Sequence, residues 1–138
     1  MKTIITISIL AALVTLTACS MSGNVDAADA AVVEFHVLLD AGRFDELYDA
    51  ADDELKAATI RKDFVDLLGA VSRKLGEVVT TQKTGWRVQR GTGGSFVTVA
   101  YATSFAHGEA VEQFTFRMHD GEARLLNYHI NSNALIIN

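Results

Sequence analysis

Three short glycine-containing turns divide the C-terminal half of the chain, and they constrain its fold more than any other feature. The turns are Gly93-Gly94, His107-Gly108 and Asp120-Gly121. Between them, apolar and polar residues alternate with the two-residue period of a β-strand. Two-residue turns between alternating segments are typical of β-hairpins, and Asp-Gly is the strongest of these signals. The sequence therefore predicts an antiparallel meander with strands near 77–90, 95–106, 109–119 and 122–131.

The same alternation predicts which side chains of this sheet face inward. Gly85 interrupts the first strand, where a glycine is typical of a bulge or a bend. The opposite face is polar and includes Arg117 and His129. The predicted inward set is Val97, Val99, Tyr101, Thr103, Phe105, Phe114, Phe116, Met118, Leu126, Tyr128 and Ile130.

Before Gly76 the apolar residues recur with the period of a helix, so helices precede the sheet. We predict three helices, over 26 to about 41, 44 to about 51 and about 60 to 75. Asp26 and Thr59 are the expected N-caps of the first and third helices, and Gly42 and Gly76 are expected to end them. Helices followed by strands predict an α+β domain with the helices packed on one face of the meander sheet.

The first 19 residues resemble the signal of a bacterial lipoprotein. Lys2 precedes an uncharged apolar run over 4–16, which is shorter than the roughly 20 residues of a membrane span. Leu16-Thr17-Ala18-Cys19 then matches a lipobox, and Cys19 is the only cysteine of the chain. The resemblance implies lipidation of Cys19. We expect a signal peptide over 1–18, a lipidated cysteine with its tether over 19–25, and one domain over 26–138. A plain secretory signal and a retained transmembrane helix are the alternatives.

Composition and the residue after the cysteine predict where the protein lies and what it binds. In Gram-negative lipoproteins a serine in this position, here Ser20, resembles the default for the outer membrane. This implies a lipid-anchored cell-envelope protein on the periplasmic face. The formal charge is −5, or −6 without Lys2, so nucleic acid and anionic lipid surfaces are poor partners for a domain of this overall charge. We expect the membrane as a partner through Cys19, and a protein partner or a homodimer stays open.

Several short segments resemble the domain of unknown function 4019 family of bacterial proteins. They are Leu39-Asp40-Ala41-Gly42-Arg43-Phe44, Ala50-Ala51, Tyr101-Ala102-Thr103-Ser104-Phe105-Ala106, Ala110-Val111-Glu112-Gln113-Phe114-Thr115, Asp120-Gly121 and Asn127-Tyr128. The resemblance implies a cystatin-like or nuclear-transport-factor-like cone, in which helices pack into a curved sheet. Ala123-Arg124-Leu125-Leu126 departs from the family's Trp-Arg-Val triplet, and Phe64 stands where tryptophan is frequent. The family has no established activity, so the resemblance supplies no catalytic residues.

Neither the histidines nor the acidic residues form a metal-binding pattern. The four histidines show no i, i+4 pair on a helix, and no second cysteine is available to them. The cluster Asp49, Asp52, Asp53 and Glu54 lacks the longer loop and central glycine of a calcium site. It is typical of a solvated junction between helices, so we expect no metal and no cofactor.

Four residues are candidates for a ligand pocket between the helices and the sheet: Tyr101, Tyr128, Trp86 and His129. Alternation places the two tyrosines inward and His129 on the opposite face, which argues against one shared site. Core tyrosines and an edge-packing tryptophan are the simpler interpretation. We therefore expect a binding or envelope-assembly module and no catalytic residues. The alternative is a small-molecule carrier or a cone-fold enzyme. The apolar tail over 133–138 is expected to dock on the sheet edge or on a second subunit.

Overall fold

In the computed structural model, which describes residues 18–137 and the side chains from Met21 to Ile137, five helices and four strands form one α+β unit. Leu16, Thr17 and the rest of the expected leader before Ala18 lie outside the described residues. The elements are α1 (Ala18–Asp40), α2 (Phe44–Ala50), α3 (Asp53–Ala58), α4 (Arg61–Leu75), β1 (Val78–Gly91), β2 (Gly94–Phe105), β3 (Gly108–His119), β4 (Glu122–Asn131) and α5 (Asn133–Ile136).

The four strands form the predicted antiparallel meander, with the order β1-β2-β3-β4. The Asp120-Gly121 turn is confirmed, and both residues have positive φ angles, 49° and 79°. Two such residues are what a type I′ turn requires, and this turn matches the twist of the strands. The other two turns lie one residue earlier than predicted, at 92–93 and 106–107.

Two of the three register shifts in the sheet bear on the predictions from the sequence. The register of β1 shifts between Lys83 and Gly85, as the glycine predicted. A second shift lies between β3 and β4, where Thr115 pairs with Asn127 but the next residue, Phe116, pairs with Leu125. The extra residue is Leu126, so Leu125 is the buried leucine and the prediction of Leu126 as inward-facing is wrong.

The helix ends are predicted better than the helix starts. Gly42 and Gly76 follow α1 and α4 with φ angles of 70° and 74°, which glycine adopts without strain. Asp26 is not an N-cap, because α1 begins at Ala18 and the expected tether is helical. Thr59 is not the cap of α4 either, since Ile60 holds that position and Thr59 ends the unpredicted helix α3. The division of the chain at Cys19 and Asp26 stays a prediction.

The core lies between the helices and the inward face of the sheet. Helix α1 buries Val25, Ala28, Val32, Phe35 and Leu39, which recur with the helical period. Helix α4 buries a second stripe, and the strands contribute the predicted residues of β2 together with Phe114 and Phe116. Helices packed on one face of an antiparallel sheet therefore confirm the predicted fold class.

The C-terminal tail packs on its own domain. Helix α5 places Ala134 and Leu135 against the core cluster. The Lys74 Nζ donates to the backbone oxygen of Leu135 at 3.0 Å. Ile136 and Ile137 remain exposed. Among the residues from 18 to 137, no helix is long and apolar enough to cross a bilayer.

Candidate functional site

A fully buried carboxylate, Glu112, is the centre of the polar interior. It lies on β3 with its side chain toward the helices, between Ala110 and Phe114. One oxygen, Oε2, accepts from His36 Nε2 at 2.8 Å and from Thr103 Oγ1 at 2.6 Å. The other, Oε1, accepts from Tyr128 Oη at 2.7 Å. Three elements, α1, β2 and β4, thus direct their donors at one carboxylate; we call these four residues the Glu112 cluster.

These hydrogen bonds explain how an acidic residue is accommodated in an apolar interior. A buried carboxylate costs several kcal/mol unless charged or polar donors replace its water. Aromatic rings enclose the cluster: the ring centroids of Phe35 and Phe114 lie 4.8 and 5.1 Å from that of Tyr128. Burial, followed by the charge of Glu112, raises the pKa of Tyr128 well above its usual value. The phenol therefore stays protonated and keeps donating to the carboxylate.

The burial of the Glu112 cluster limits what it can do chemically. A carboxylate paired with an imidazole is an arrangement used in acid–base catalysis, but such a pair must reach the substrate. Glu112 is 0% exposed and His36 is 7% exposed. In this conformation the carboxylate of Glu112 and the imidazole of His36 are out of reach of a bound molecule, and the pair joins α1 to the sheet.

A second polar contact joins α1 to β1 and β2 near the surface. Tyr101 Oη donates to Asp29 Oδ1 at 2.6 Å, and Lys83 Nζ donates to Asp29 Oδ2 at the same distance. Partial burial, together with the Asp29 carboxylate, raises the pKa of Tyr101. This contact fixes α1 above the β1–β2 hairpin.

The structure separates the four residues that the sequence nominated for a pocket. Tyr128 belongs to the Glu112 cluster, whereas Tyr101 binds Asp29. His129 is exposed, while Trp86 is 57% exposed and pairs with Val99 in the register of β1 and β2. The split expected from the alternation is observed.

Sequence reasoning missed two members of the Glu112 cluster, Glu112 itself and His36. Glu112 occupies an inward position of β3, and His36 occupies the position one turn after Val32 in the buried stripe of α1. A titratable residue in each of two apolar stripes that pack together is a signal that the two form a pair.

The acidic cluster between α2 and α3 is a helix junction, as predicted, but one of its members is buried. Asp52 is 5% exposed and caps α3, because its Oδ1 accepts from the backbone N–H of Glu54 at 2.9 Å. The same oxygen accepts from Arg117 Nη1 at 2.8 Å, and Arg117 also pairs with the Glu54 carboxylate. Within residues 18–137, no group of three or more His, Cys, Asp and Glu side chains is placed to hold a metal ion.

Two of the open cavities lie where helices meet the sheet. The first, which we call the α1 groove, has a volume of about 390 Å³ and runs between α1, α2 and the β3–β4 hairpin. Its lining is mostly apolar: Ala27, Ala30, Ala31, Phe35, Leu38, Leu47, Ala50, Phe116, Ala123 and Leu125, with Glu34 and Glu122 as its charged members. The second, of about 330 Å³, lies between α3, α4 and β4 and includes Tyr128 in its wall.

The fold and these features define a small α+β protein in which a meander sheet, covered on one face by helices, holds a buried polar cluster beside an apolar groove. The chain belongs to the family described as Protein of unknown function (DUF4019), whose model matches residues 31–128. That match confirms the resemblance noted from the sequence and includes all four members of the Glu112 cluster. Among curated proteins, none matches the chain.

Proposed function

We propose that this is a lipid-anchored cell-envelope protein that binds a ligand or partner in the α1 groove, and that it does not catalyse a reaction. The anchor is Cys19, and the groove is the binding site. The observation that carries the proposal is an accessible apolar cavity beside an acid–base cluster that is buried.

The dimensions and chemistry of the α1 groove support its role in binding. Cavities of about 300–1,000 Å³ with mostly apolar walls and a few polar groups are typical of small-molecule sites. The groove falls in this range, and its alanines leave room next to the helix backbone. The carboxylates of Glu34 and Glu122 disfavour an anionic ligand. The site therefore suits a neutral or cationic apolar molecule, or the apolar side chains of a partner segment.

The sequence before Asp26 supports the anchor. A short apolar run that ends in Leu-Thr-Ala-Cys provides one thiol for diacylglyceryl transfer, and two or more acyl chains give stable attachment to a membrane. Helix α1 contains Cys19 in its first turn and Ala27, Ala30 and Ala31 further along. An anchored helix would thus hold the groove close to the membrane surface.

Filling the groove tests the binding role. The full-length protein is titrated with N-phenyl-1-naphthylamine, a neutral apolar fluorophore, and compared with Ala30→Phe, which places a ring in the groove from an exposed helix position. The matched control is Val37→Phe, which changes another exposed residue of α1 outside the groove lining. We expect Ala30→Phe to raise the Kd at least about tenfold and Val37→Phe to leave it unchanged. Equal affinity for all three proteins, or no binding by the wild type, would contradict the proposal.

The second cavity favours a different function, that of a small-molecule carrier or an enzyme. Tyr128 forms part of its wall, and the hydroxyl of Tyr128 donates to Glu112. A ligand in this cavity would contact Tyr128 and thereby act on its hydrogen bond to Glu112. If Leu67→Trp, which changes an exposed residue in this wall, abolished binding while Ala30→Phe did not, the second cavity would be the site.

A further inference from the structure

The β1–β2 hairpin concentrates positive charge in an acidic protein. Residues 78–105 contain Lys83, Arg87 and Arg90 and no Asp or Glu. The hairpin contributes +3 to a chain whose formal net charge is −5, so the remainder carries −8. We call this segment the basic hairpin. Such segregation on one hairpin is typical of a surface that meets an anionic partner.

Two of the three cations are available for such a partner. Lys83 is engaged with Asp29 at 2.6 Å. Arg87 and Arg90 are exposed and have no ion-pair partner among the described residues. Trp86, the only tryptophan of the protein, precedes Arg87 directly and Arg90 by four residues on β1, and it is 57% exposed. Exposed Arg next to Trp is the combination found where proteins meet the interfacial region of a bilayer.

The course of α1 places the proposed anchor at the same end of the molecule. Asp40 accepts from the backbone N–H of Val78, and Asp29 pairs with Lys83, so α1 and β1 run antiparallel. The helix covers about 16 Å between those two contacts and the strand covers the same distance. A further distance of about 15 Å leads towards the N-terminus of α1 to Cys19 and towards the C-terminus of β1 to Arg87, so these two residues lie at the same level.

We infer that the basic hairpin is a membrane-contacting surface that binds anionic phospholipid headgroups, with Trp86 at the interface and Arg87 and Arg90 on the phosphates. The inference rests on the proposed lipidation of Cys19 for its geometry. The β3–β4 turn carries the acidic residues Asp120 and Glu122. Because their charge repels anionic headgroups, the membrane contact is restricted to the β1–β2 side. The headgroups then orient the anchored domain on the membrane.

Because Trp86 is the only tryptophan, its fluorescence reports this contact directly. Full-length protein purified from a Gram-negative host is reconstituted in vesicles of phosphatidylcholine, with or without about one-third phosphatidylglycerol. Flotation measures attachment, while the emission shift of Trp86 and its quenching by brominated lipids measure contact of the hairpin. We expect attachment to both vesicles, but a blue shift and quenching only with phosphatidylglycerol. Added salt should weaken the contact.

Charge variants assign the contact to the hairpin. Each arginine near an anionic surface strengthens association about fivefold, so Arg87→Gln/Arg90→Gln should weaken the contact about 25-fold. The conservative pair Arg87→Lys/Arg90→Lys should retain it. Arg43→Gln/Arg73→Gln removes the same charge from exposed residues at the opposite end of α1 and at the C-terminal end of α4, and should leave the contact unchanged.

The outcomes separate this inference from the proposed function. Attachment without any response to phosphatidylglycerol, or an equal response from both Gln pairs, overturns the membrane contact and leaves the anchor standing. A protein without acyl chains that floats only with anionic vesicles, and loses flotation in Arg87→Gln/Arg90→Gln, supports the contact and contradicts the anchor. An emission shift that depends on protein concentration without vesicles indicates a second copy of the chain on the hairpin and overturns the inference.

Discussion

Replacing Glu112 with alanine removes the acceptor of three donors at once and is expected to destabilise the protein by about 3–5 kcal/mol. His36, Thr103 and Tyr128 would each lose the partner they bind at 2.6–2.8 Å. A buried donor without an acceptor costs about 1–3 kcal/mol, so the gross loss is about 3–9 kcal/mol. Because the variant no longer buries a carboxylate, part of this loss is recovered, which leaves the net value in the lower half of that range.

The assay is urea unfolding followed by far-UV circular dichroism. The control is Glu109→Ala, a change three residues earlier on β3 at an exposed side chain, expected to shift stability by no more than about 0.5 kcal/mol. A combined variant with His36→Leu, Thr103→Val, Glu112→Leu and Tyr128→Phe removes donors and acceptor together. It should recover more than half of the loss, since apolar replacement of a complete buried pair is often neutral. A loss under about 1 kcal/mol for Glu112→Ala, or no recovery in the combined variant, would refute this account of the cluster.

Three further changes test other contacts. Asp52→Ala removes the N-cap of α3 and the partner of Arg117. Loss of the cap alone should lower the free energy of unfolding, measured in urea, by about 1–2 kcal/mol. An equal effect of Asp53→Ala, which changes an exposed neighbour, would contradict the capping role of Asp52. Gly76→Ala should lower the Tm, because Gly76 has a φ of +74° and the new Cβ would lie 2.9 Å from a ring carbon of His107. An unchanged Tm would show that the turn relaxes without cost. The raised pKa of Tyr128 means that its contribution is complete below the usual tyrosine pKa of about 10 and is lost as the pH rises above it. Alkaline unfolding should therefore be less steep in Tyr128→Phe, and an identical pH profile would contradict the burial argument.

The sheet could be predicted from the sequence because local rules agree with the tertiary structure there. Period-2 alternation in β2 places Val97 and Val99 inward, and Asp120-Gly121 fits only a tight turn. Leu125 and Leu126 show where such reasoning fails. Both are equally apolar, and the bulge that selects Leu125 is a property of the pairing between β3 and β4, which no local pattern records.

The candidate site was less predictable, for a physical reason. Tyr128 was nominated from its position, but its function as a donor depends on Glu112, which lies 16 residues away on another strand. His36 is 76 residues from the same carboxylate. A hydrogen-bonded cluster is specified by which elements pack together, so it emerges only once the helix phase and the strand register are both known. Helix α3 was missed because six residues are too few for a clear helical period.

Lipidation of Cys19 underlies both proposals. Only an anchored α1 would hold the α1 groove close to the membrane and orient the basic hairpin towards the membrane surface. The most direct measurement is metabolic labelling of the full-length protein with radioactive palmitate in Gram-negative cells, followed by the intact mass of the purified product. We predict a labelled protein that begins at Cys19 and carries acyl chains, with the label lost in Cys19→Ala. An unlabelled product, or equal labelling of wild type and Cys19→Ala, would contradict the account.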